Sequence, residues 1–477
     1  MNCRLISHFS LSQKLLLSGI LLICFHFGLS AQTLLQIDTI LVSGQVKTKE
    51  RIILRELTFA QGDTLEMRTL SATLEANQLR LMNTGLFSDV FLNVKTWDTE
   101  LNKIGISVEV SEAWYVYPVP TFELADRNFN VWWKDYEHSL RRVNFGFNLY
   151  YSNVTGRQDY LKLVTQFGFT RKAELEYTFP YVNRAQTLGL SGGFLFTRNR
   201  SINYTTESDK QVFQRLDEGP DLLQRIRGTL GVRYRPELNL MHKWQLGFHY
   251  NRIDSLVNSE LNPDFFLGNT RQRYMSLEYD LAVDRRNVIA YPTKGIFWFL
   301  NIRKEGFGIW DDLNQLYVQT SVNPYFTLND HLSLGLGLKG RIAFFRKKQP
   351  FYNSRALGYE DDYVRGYEYY VIDGLDYGLA KIDFRFNFLD RPFNWGKAMP
   401  IASLKTMPLK VYLNVYNDFG YANNPYYASS NQLANELLWS VGVGLDILVY
   451  YNKLIQIQVS RNHLDEWGVF LHWTLSL

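Results

Sequence analysis

The chain has 477 residues, 15% of them aromatic, and a formal net charge of +4. So small a positive balance gives no drive toward nucleic acid, and both cysteines, Cys3 and Cys24, lie near the N-terminus, leaving no thiol beyond them for a disulfide framework or a cysteine metal site. Mean hydropathy is slightly negative, −0.21, and after residue 31 no run of about 18 apolar residues occurs, so no spanning helix is expected.

Residues 1–31 read as a secretory signal. Arg4 and Lys14 precede an apolar run from Leu15 to Phe27, and Ser30-Ala31 offers small residues for cleavage. Ile23 precedes Cys24 where a lipoprotein signal needs a small residue, so lipidation is not expected.

Residues 33–112 have mixed periodicity. A β-rich run over 35–42 stops at Ser43-Gly44. Thr48 starts a helix through Leu57, Gly62-Asp63 breaks the chain, and a second helix is expected from Asp63 or Thr64 through Met82. Gly85 stops it, and 87–94 and 104–110 read as strands. The order β-α-α-β-β makes a small α+β domain.

From about residue 115 a period of two dominates. Lys172, Glu174, Glu176 and Thr178 alternate with Ala173, Leu175, Tyr177 and Phe179; Asp383, Arg385 and Asn387 alternate with Phe384, Phe386 and Phe388. Alternation alone fits a soluble sandwich or a barrel in lipid. The signal, the 30 Tyr and 32 Phe, and the persistence of the pattern to the last residue favour the barrel. Residues 113–477 are expected to form a 16-stranded antiparallel transmembrane β-barrel, closing between a first strand near 121–133 and a last strand over 469–477. Long loops are expected at 197–224, 252–269, 346–376 and 422–436.

Several patterns carry no chemistry. Gly335-Leu336-Gly337-Leu338-Lys339-Gly340 has the letters of a dinucleotide fingerprint but sits in an alternating strand with no helix after it. The scattered histidines lack metal-ligand spacing, the serines lack a nucleophile elbow, and Glu360-Asp361-Asp362 lacks the alternation of a calcium loop. Neither an enzyme nor a cofactor or metal site is expected.

One constellation stands out. Val364-Arg365-Gly366-Tyr367 lies in a polar loop, and Asp418-Phe419-Gly420 lies in a strand about fifty residues later. Asp418 shares parity with Tyr412, Asn414 and Tyr416, while Val411, Leu413 and Val415 take the lipid side. Arg365 has a planar five-donor fork suited to a carboxylate. An Arg365–Asp418 pair is expected to hold the loop against the inner wall, with Gly366 supplying close approach or positive φ and Tyr367 packing on the wall.

These residues carry a resemblance. Asn83-Thr84-Gly85-Leu86-Phe87-Ser88-Asp89-Val90 resembles the signature of POTRA domains, periplasmic modules of the BamA/TamA outer-membrane assembly-factor superfamily, and Leu41-Val42-Ser43-Gly44 resembles the module's opening strand. Glu176-Tyr177-Thr178-Phe179-Pro180-Tyr181, Asp284-Arg285-Arg286 with Tyr291-Pro292-Thr293-Lys294-Gly295, Val364-Arg365-Gly366-Tyr367 and Asp418-Phe419-Gly420 resemble its barrel motifs in family order. Asp383 stands where relatives often have Glu, and there is room for one module. The resemblance implies a barrel in the outer membrane of a Gram-negative-type bacterium with its module in the periplasm. It also implies outer-membrane lipid and unfolded outer-membrane or secreted client proteins as partners, with periplasmic or lipoprotein accessory subunits. Gly44, Gly85, Leu86 and Phe87 would be the module's signature positions. Three functions stay open: an insertase, a two-partner secretion pore, and a passive channel.

Overall fold

The computed structural model describes residues 33–124, 143–168, 170–216, 218–310, 312–359, 361–399, 405–450 and 453–475. The expected signal, 1–31, and most of the expected first barrel strand lie outside them.

The N-terminal unit is a four-stranded sheet with two helices. Its elements are β1 (Leu34–Ser43), α1 (Glu50–Glu56), β2 (Thr64–Glu66), α2 (Leu70–Asn83), β3 (Phe87–Asp98) and β4 (Lys103–Glu112). The sheet order is β2-β1-β4-β3, with β1 parallel to β4 and the other pairs antiparallel. The second helix starts later than its periodicity predicts. Thr64-Leu65-Glu66 alternates and adds a short strand to the edge of β1, so helical spacing begins at Leu70. Leu35 and Ile37 from β1, Ile52 and Ile53 from α1, Leu81 from α2 and Ile104, Ile106 and Val108 from β4 form one buried core. Asn77 is buried among them and fully used: its Oδ1 accepts from Thr58 N (2.7 Å) and its amide donates to Thr58 Oγ1 and Thr73 O.

Leu86 and Phe87 are buried in this core. Gly85 has φ +70° and ends α2 in open space, so conformation and not crowding requires it. Gly44 has φ +89°, and a Cβ there would lie 2.0 Å from Val110 O. Gly44→Ala is expected to destabilise this domain by about 2 kcal/mol or more, read as lost hydrogen-exchange protection along β1 and β4 in the full-length chain. Unchanged protection refutes this.

The remaining chain is a 16-stranded antiparallel sheet in sequence order. Its first strands are β5 (Val116–Leu124), β6 (Val143–Ser152), β7 (Tyr160–Gly168), β8 (Thr170–Phe179) and β9 (Leu188–Asn199). A hairpin of β10 (Ser201–Glu207) and β11 (Lys210–Arg215) then leaves the wall. The wall resumes with β12 (Leu223–Glu237), β13 (Leu240–Ile253), β14 (Arg271–Asp284), β15 (Gly295–Glu305), β16 (Gln315–Thr327) and β17 (Leu332–Ala343). A long loop holding β18 (Arg355–Leu357) and β19 (Ile372–Asp373) follows. The wall ends with β20 (Asp376–Asn394), β21 (Thr406–Asn423), β22 (Leu438–Val449), β23 (Lys453–Asn462) and β24 (Trp467–Leu475). The first barrel strand thus starts at Val116, upstream of the expected 121–133. The fingerprint-like Gly335–Gly340 segment lies inside β17.

The wall is inverted relative to a soluble core. Phe194, Leu246, Leu277, Phe384, Leu413 and Val443 face outward and are exposed, while Asn414, Asp418, Asp446, Gln458 and Ser460 are buried on the inner face. A sheet with apolar residues out and polar residues in is the arrangement lipid selects. Val411 departs from the expected parity in exposure. It is buried, and it lies opposite a β-bulge between Asn387 and Leu389.

The four expected long loops leave one end of the barrel. The first contains the β10–β11 hairpin. Ile202 and Leu222 from it pack with Val257, Phe265 and Phe266 of the second and Phe351 of the third, forming an apolar cap. At the opposite end, short turns meet the N-terminal domain.

Candidate functional site

The loop between β17 and β20 turns inward. The small β18–β19 pairing closes its neck, and residues 358–359 and 361–371 form a lobe within the barrel. Gly358, with φ +81°, makes the entry turn, where a Cβ would meet Tyr370 O at 2.2 Å. Asp362 is held by the Lys339 ammonium and by Tyr377 Oη (2.6 Å), so this acidic turn is an anchor point.

Arg365 lies at the bottom of the lobe and is buried. Its Nε donates to Asp418 Oδ2 (2.8 Å) and its Nη2 to Asp418 Oδ1 (2.5 Å), while its own backbone N–H donates to Asp418 Oδ2 (3.0 Å). Asp418 is 0% exposed. The third side-chain nitrogen, Nη1, donates to Asp383 Oδ1 on β20 (2.6 Å). The guanidinium also lies over the Tyr416 ring, 3.9 Å from its centroid. Arg365 thus meets two carboxylates and one aromatic face.

The adjacent residues fit the wall by size. Gly366 has φ +89°, and a Cβ there would lie 3.1 Å from Ser460 Cβ and 3.4 Å from Ser440 Cβ. Small side chains on β22 and β23 therefore form a floor that admits the loop backbone, and Asn462 Nδ2 donates to Gly366 O (3.0 Å). Gly420 leaves room for Val364, whose Cγ2 would lie 2.4 Å from an added Cβ. Tyr367 is buried; its hydroxyl donates to Trp439 O (3.1 Å) and meets the His463 ring. Further along, Glu368 Oε1 lies 3.4 Å from His472 Nε2, and Tyr370 Oη donates to Glu466 Oε1 (2.7 Å). The lobe therefore touches β20 to β24.

Sequence reasoning singled out Val364, Arg365, Gly366, Tyr367, Asp418 and Gly420, and the structure brings all six together. It did not assign Asp383 or Tyr416 to Arg365, nor Ser440 and Ser460 to Gly366. Asp383 was visible as an inward charge on an alternating strand; only the register, which sets Asp383 opposite Tyr416 and Lys381 opposite Asp418, places it beside the loop.

The network continues through the lumen. Arg385 Nη2 reaches Asp383 Oδ2 at 3.4 Å, its Nη1 donates to Pro292 O (2.8 Å), and its guanidinium lies over the Tyr291 ring at 4.4 Å. Tyr291 enters the lumen from the turn between β14 and β15 and donates to Asp446 Oδ2 (2.6 Å).

That turn also meets the N-terminal domain: Asn83 of α2 donates to Asn287 O (2.8 Å) and accepts from Ile289 N (3.1 Å). Other turns grip α1. Glu56 takes a bidentate contact from Arg235 at the end of β12 (2.6 and 2.9 Å) and a bond from Arg55 (3.0 Å). Arg55 also donates to Gln186 O (2.7 Å) and lies over the Tyr181 ring at 4.2 Å. Thr48 Oγ1 accepts from Asn153 Nδ2 (2.8 Å). Burial opposes charge on Glu56, but the Arg235 and Arg55 guanidiniums hold its carboxyl below the ordinary range.

Among the described residues, no three His, Cys, Asp or Glu side chains are grouped to hold a metal ion. The chemistry present is that of retention: charge pairing, stacking and close packing of a loop and a domain against a wall.

Comparison with known proteins agrees with this architecture. An Omp85 superfamily domain model matches residues 153–449, and a POTRA model, described as surface antigen variable number repeat, matches residues 36–113. No curated protein sequence matches the chain. Among solved structures, the chain is similar to BamA from Haemophilus ducreyi lacking POTRA domains 1-3, with a TM-score of 0.51, 14% identity, and coverage of 92% of this chain and 84% of that one. It is also similar to CdiB from Escherichia coli, with a TM-score of 0.53, 10% identity, and coverage of 92% and 75%.

Proposed function

The chain belongs to the Omp85 superfamily, an outer-membrane β-barrel with a periplasmic POTRA domain, and on that premise we propose that it assists the insertion of other β-barrel proteins into the outer membrane. The observation that carries this reading is the seam between the sheet's two terminal strands, where among the described residues Lys453 Nζ lies 5.7 Å from the Tyr117 ring centroid but no backbone pairing is present. Among the described residues the sheet runs from β24 to β5, and no ladder joins the two. Trp467, Val469 and Leu471 of β24 are correspondingly exposed, Leu471 at 72%. A strand with one unpaired side is a template for a client strand.

In this reading the POTRA domain captures extended clients along an open sheet edge, at β3 or beside the short β2. Main-chain bonds then carry recognition and tolerate many sequences. The loop bearing Arg365 braces the wall from β20 to β24 while the seam works. Periplasmic or lipoprotein accessory subunits would bind the domain's remaining surface.

Two experiments test this. Depletion is expected to remove many barrel proteins from the outer membrane; loss of one secreted protein alone would instead establish a two-partner secretion pore. A disulfide between cysteines placed on β5 and β24 is expected to stop client insertion until a reductant is added. Insertion at an undiminished rate through the oxidised seam excludes lateral strand addition.

A further inference from the structure

The hairpin of β20 and β21 projects beyond the wall at the periplasmic end. The β17 ladder reaches only Phe386, and the β22 ladder only Leu409. Residues 388–394 of β20 therefore run on with β21 as their one neighbour, about 20 Å at the rise of an antiparallel strand.

Register gives this projection two unlike faces. Phe386 lies opposite Leu413 on the lipid side, and Asn387 lies opposite Tyr412 on the lumen side. After the bulge, Leu389, Arg391 and Phe393 lie opposite Val411, Leu409 and Met407. Directly opposed residues share a face, so by register these six continue the lipid-side stripe, with Val411, beside the bulge, buried within it. Trp395 N–H donates to Lys405 O (2.9 Å), extending the same face, and the Trp395 ring packs edge-on against Phe393 at 4.9 Å. The other face holds an Asp390–Lys410 pair (2.8 Å), Pro392 opposite Pro408, and Asn394 opposite Thr406.

The outward face thus combines exposed aromatics with Arg391 and Lys405, and Lys397 is exposed in the turn at its tip; none of the three has a carboxylate partner among the described residues. Aromatic rings and unpaired cations at the rim of an apolar stripe match the boundary between acyl chains and phosphate headgroups. The edges are poorly suited to another strand. Pro408 O accepts from Tyr450 N (3.2 Å), so position 408 points its backbone away from β20, and the donors missing at the opposed Pro408 and Pro392 are edge donors.

We propose that the outward face of this hairpin is an interfacial anchor that seats Phe393 and Trp395 in the periplasmic leaflet and takes the phosphates of anionic phospholipids on Arg391, Lys397 and Lys405. The site lies away from the lumenal loop and does not depend on which cargo the barrel handles.

The chain without residues 1–31 provides a clean probe position, because the sequence's two cysteines, Cys3 and Cys24, both lie in the expected signal. Ala398→Cys is labelled with an environment-sensitive fluorophore in the full mature chain. The protein is reconstituted in phosphatidylethanolamine vesicles with or without phosphatidylglycerol. Spin labels near the lipid headgroup are expected to quench the fluorophore, more strongly when phosphatidylglycerol is present, while aqueous iodide is not. Arg391→Gln, Lys397→Gln and Lys405→Gln are each expected to reduce the phosphatidylglycerol effect by up to about fivefold, with the barrel's heat-resistant mobility in gels unchanged. Quenching by iodide alone, or lipid quenching indifferent to phosphatidylglycerol and to the three substitutions, overturns the proposal. Protection from both quenchers by a bound protein overturns it as well.

Discussion

Asp418→Ala is expected to release the lumenal loop more completely than Arg365→Ala. Asp418 accepts two bonds from the Arg365 side chain and one from its backbone N–H. Removing the carboxylate breaks all three and leaves the guanidinium buried with Asp383 alone. Removing the guanidinium leaves the amide of residue 365 on Asp418. Breaking a buried pair by deleting one partner costs about 3–5 kcal/mol, and Asp418→Ala should lie at the upper end. The thermal midpoint of the purified barrel reads the cost, and chymotrypsin cleavage after Tyr363 and Tyr367 reports loop release. The double variant should lose little more than Asp418→Ala alone, since both changes act on one contact. Losses of about 1 kcal/mol or less, typical of an exposed pair, refute the lock.

The second large effect lies at the junction of domain and barrel. Glu56→Gln removes the anion that Arg235 and Arg55 share, and Arg80 and Arg233 lie close enough to feel its charge. Four cations then crowd a poorly hydrated junction, and docking is expected to weaken by about 3 kcal/mol or more. A pair of spin labels, one on α2 and one on a periplasmic turn, should show a broadened distance distribution. Acid should act in the same direction. The docked carboxyl is held below its ordinary range, so its contribution is complete above that range and disappears as pH falls through the lowered docked value. Arg235→Ala should abolish most of this acid sensitivity. A distribution unchanged by Glu56→Gln and by acid shows that other contacts hold the domain.

Much of the fold could be read along the chain because it rests on local periodicity. Alternation at 172–179 and 383–388 marks strands whose faces differ in solvent, and the lumenal position of Asp418 follows from parity within its own strand. Failures occurred where a pattern was short or a neighbour decided. Thr64–Glu66 has too few residues to separate a helix start from an edge strand, and pairing with β1 decides it. The β10–β11 hairpin lies in what reads as a loop because its strands pack in a cap and not in the wall. Asp383 and the Glu56–Arg235 contact depend on register and docking between distant segments. Their charges were visible in the sequence, but their partnership was not. The motif at 364–367 was legible as a unit, whereas its floor, Ser440 and Ser460, consists of residues whose only signal is small size.

Arg385 stands between the loop and the periplasmic turn. One side of its guanidinium faces Asp383, which holds Arg365; the other meets the Tyr291 ring and Pro292 O. The turn in turn grips Asn83 of α2. A single cation is therefore shared by a segment that enters from outside the cell and one that contacts the periplasmic domain. Along this side an unbroken chain of side-chain contacts runs from one mouth of the barrel to the other.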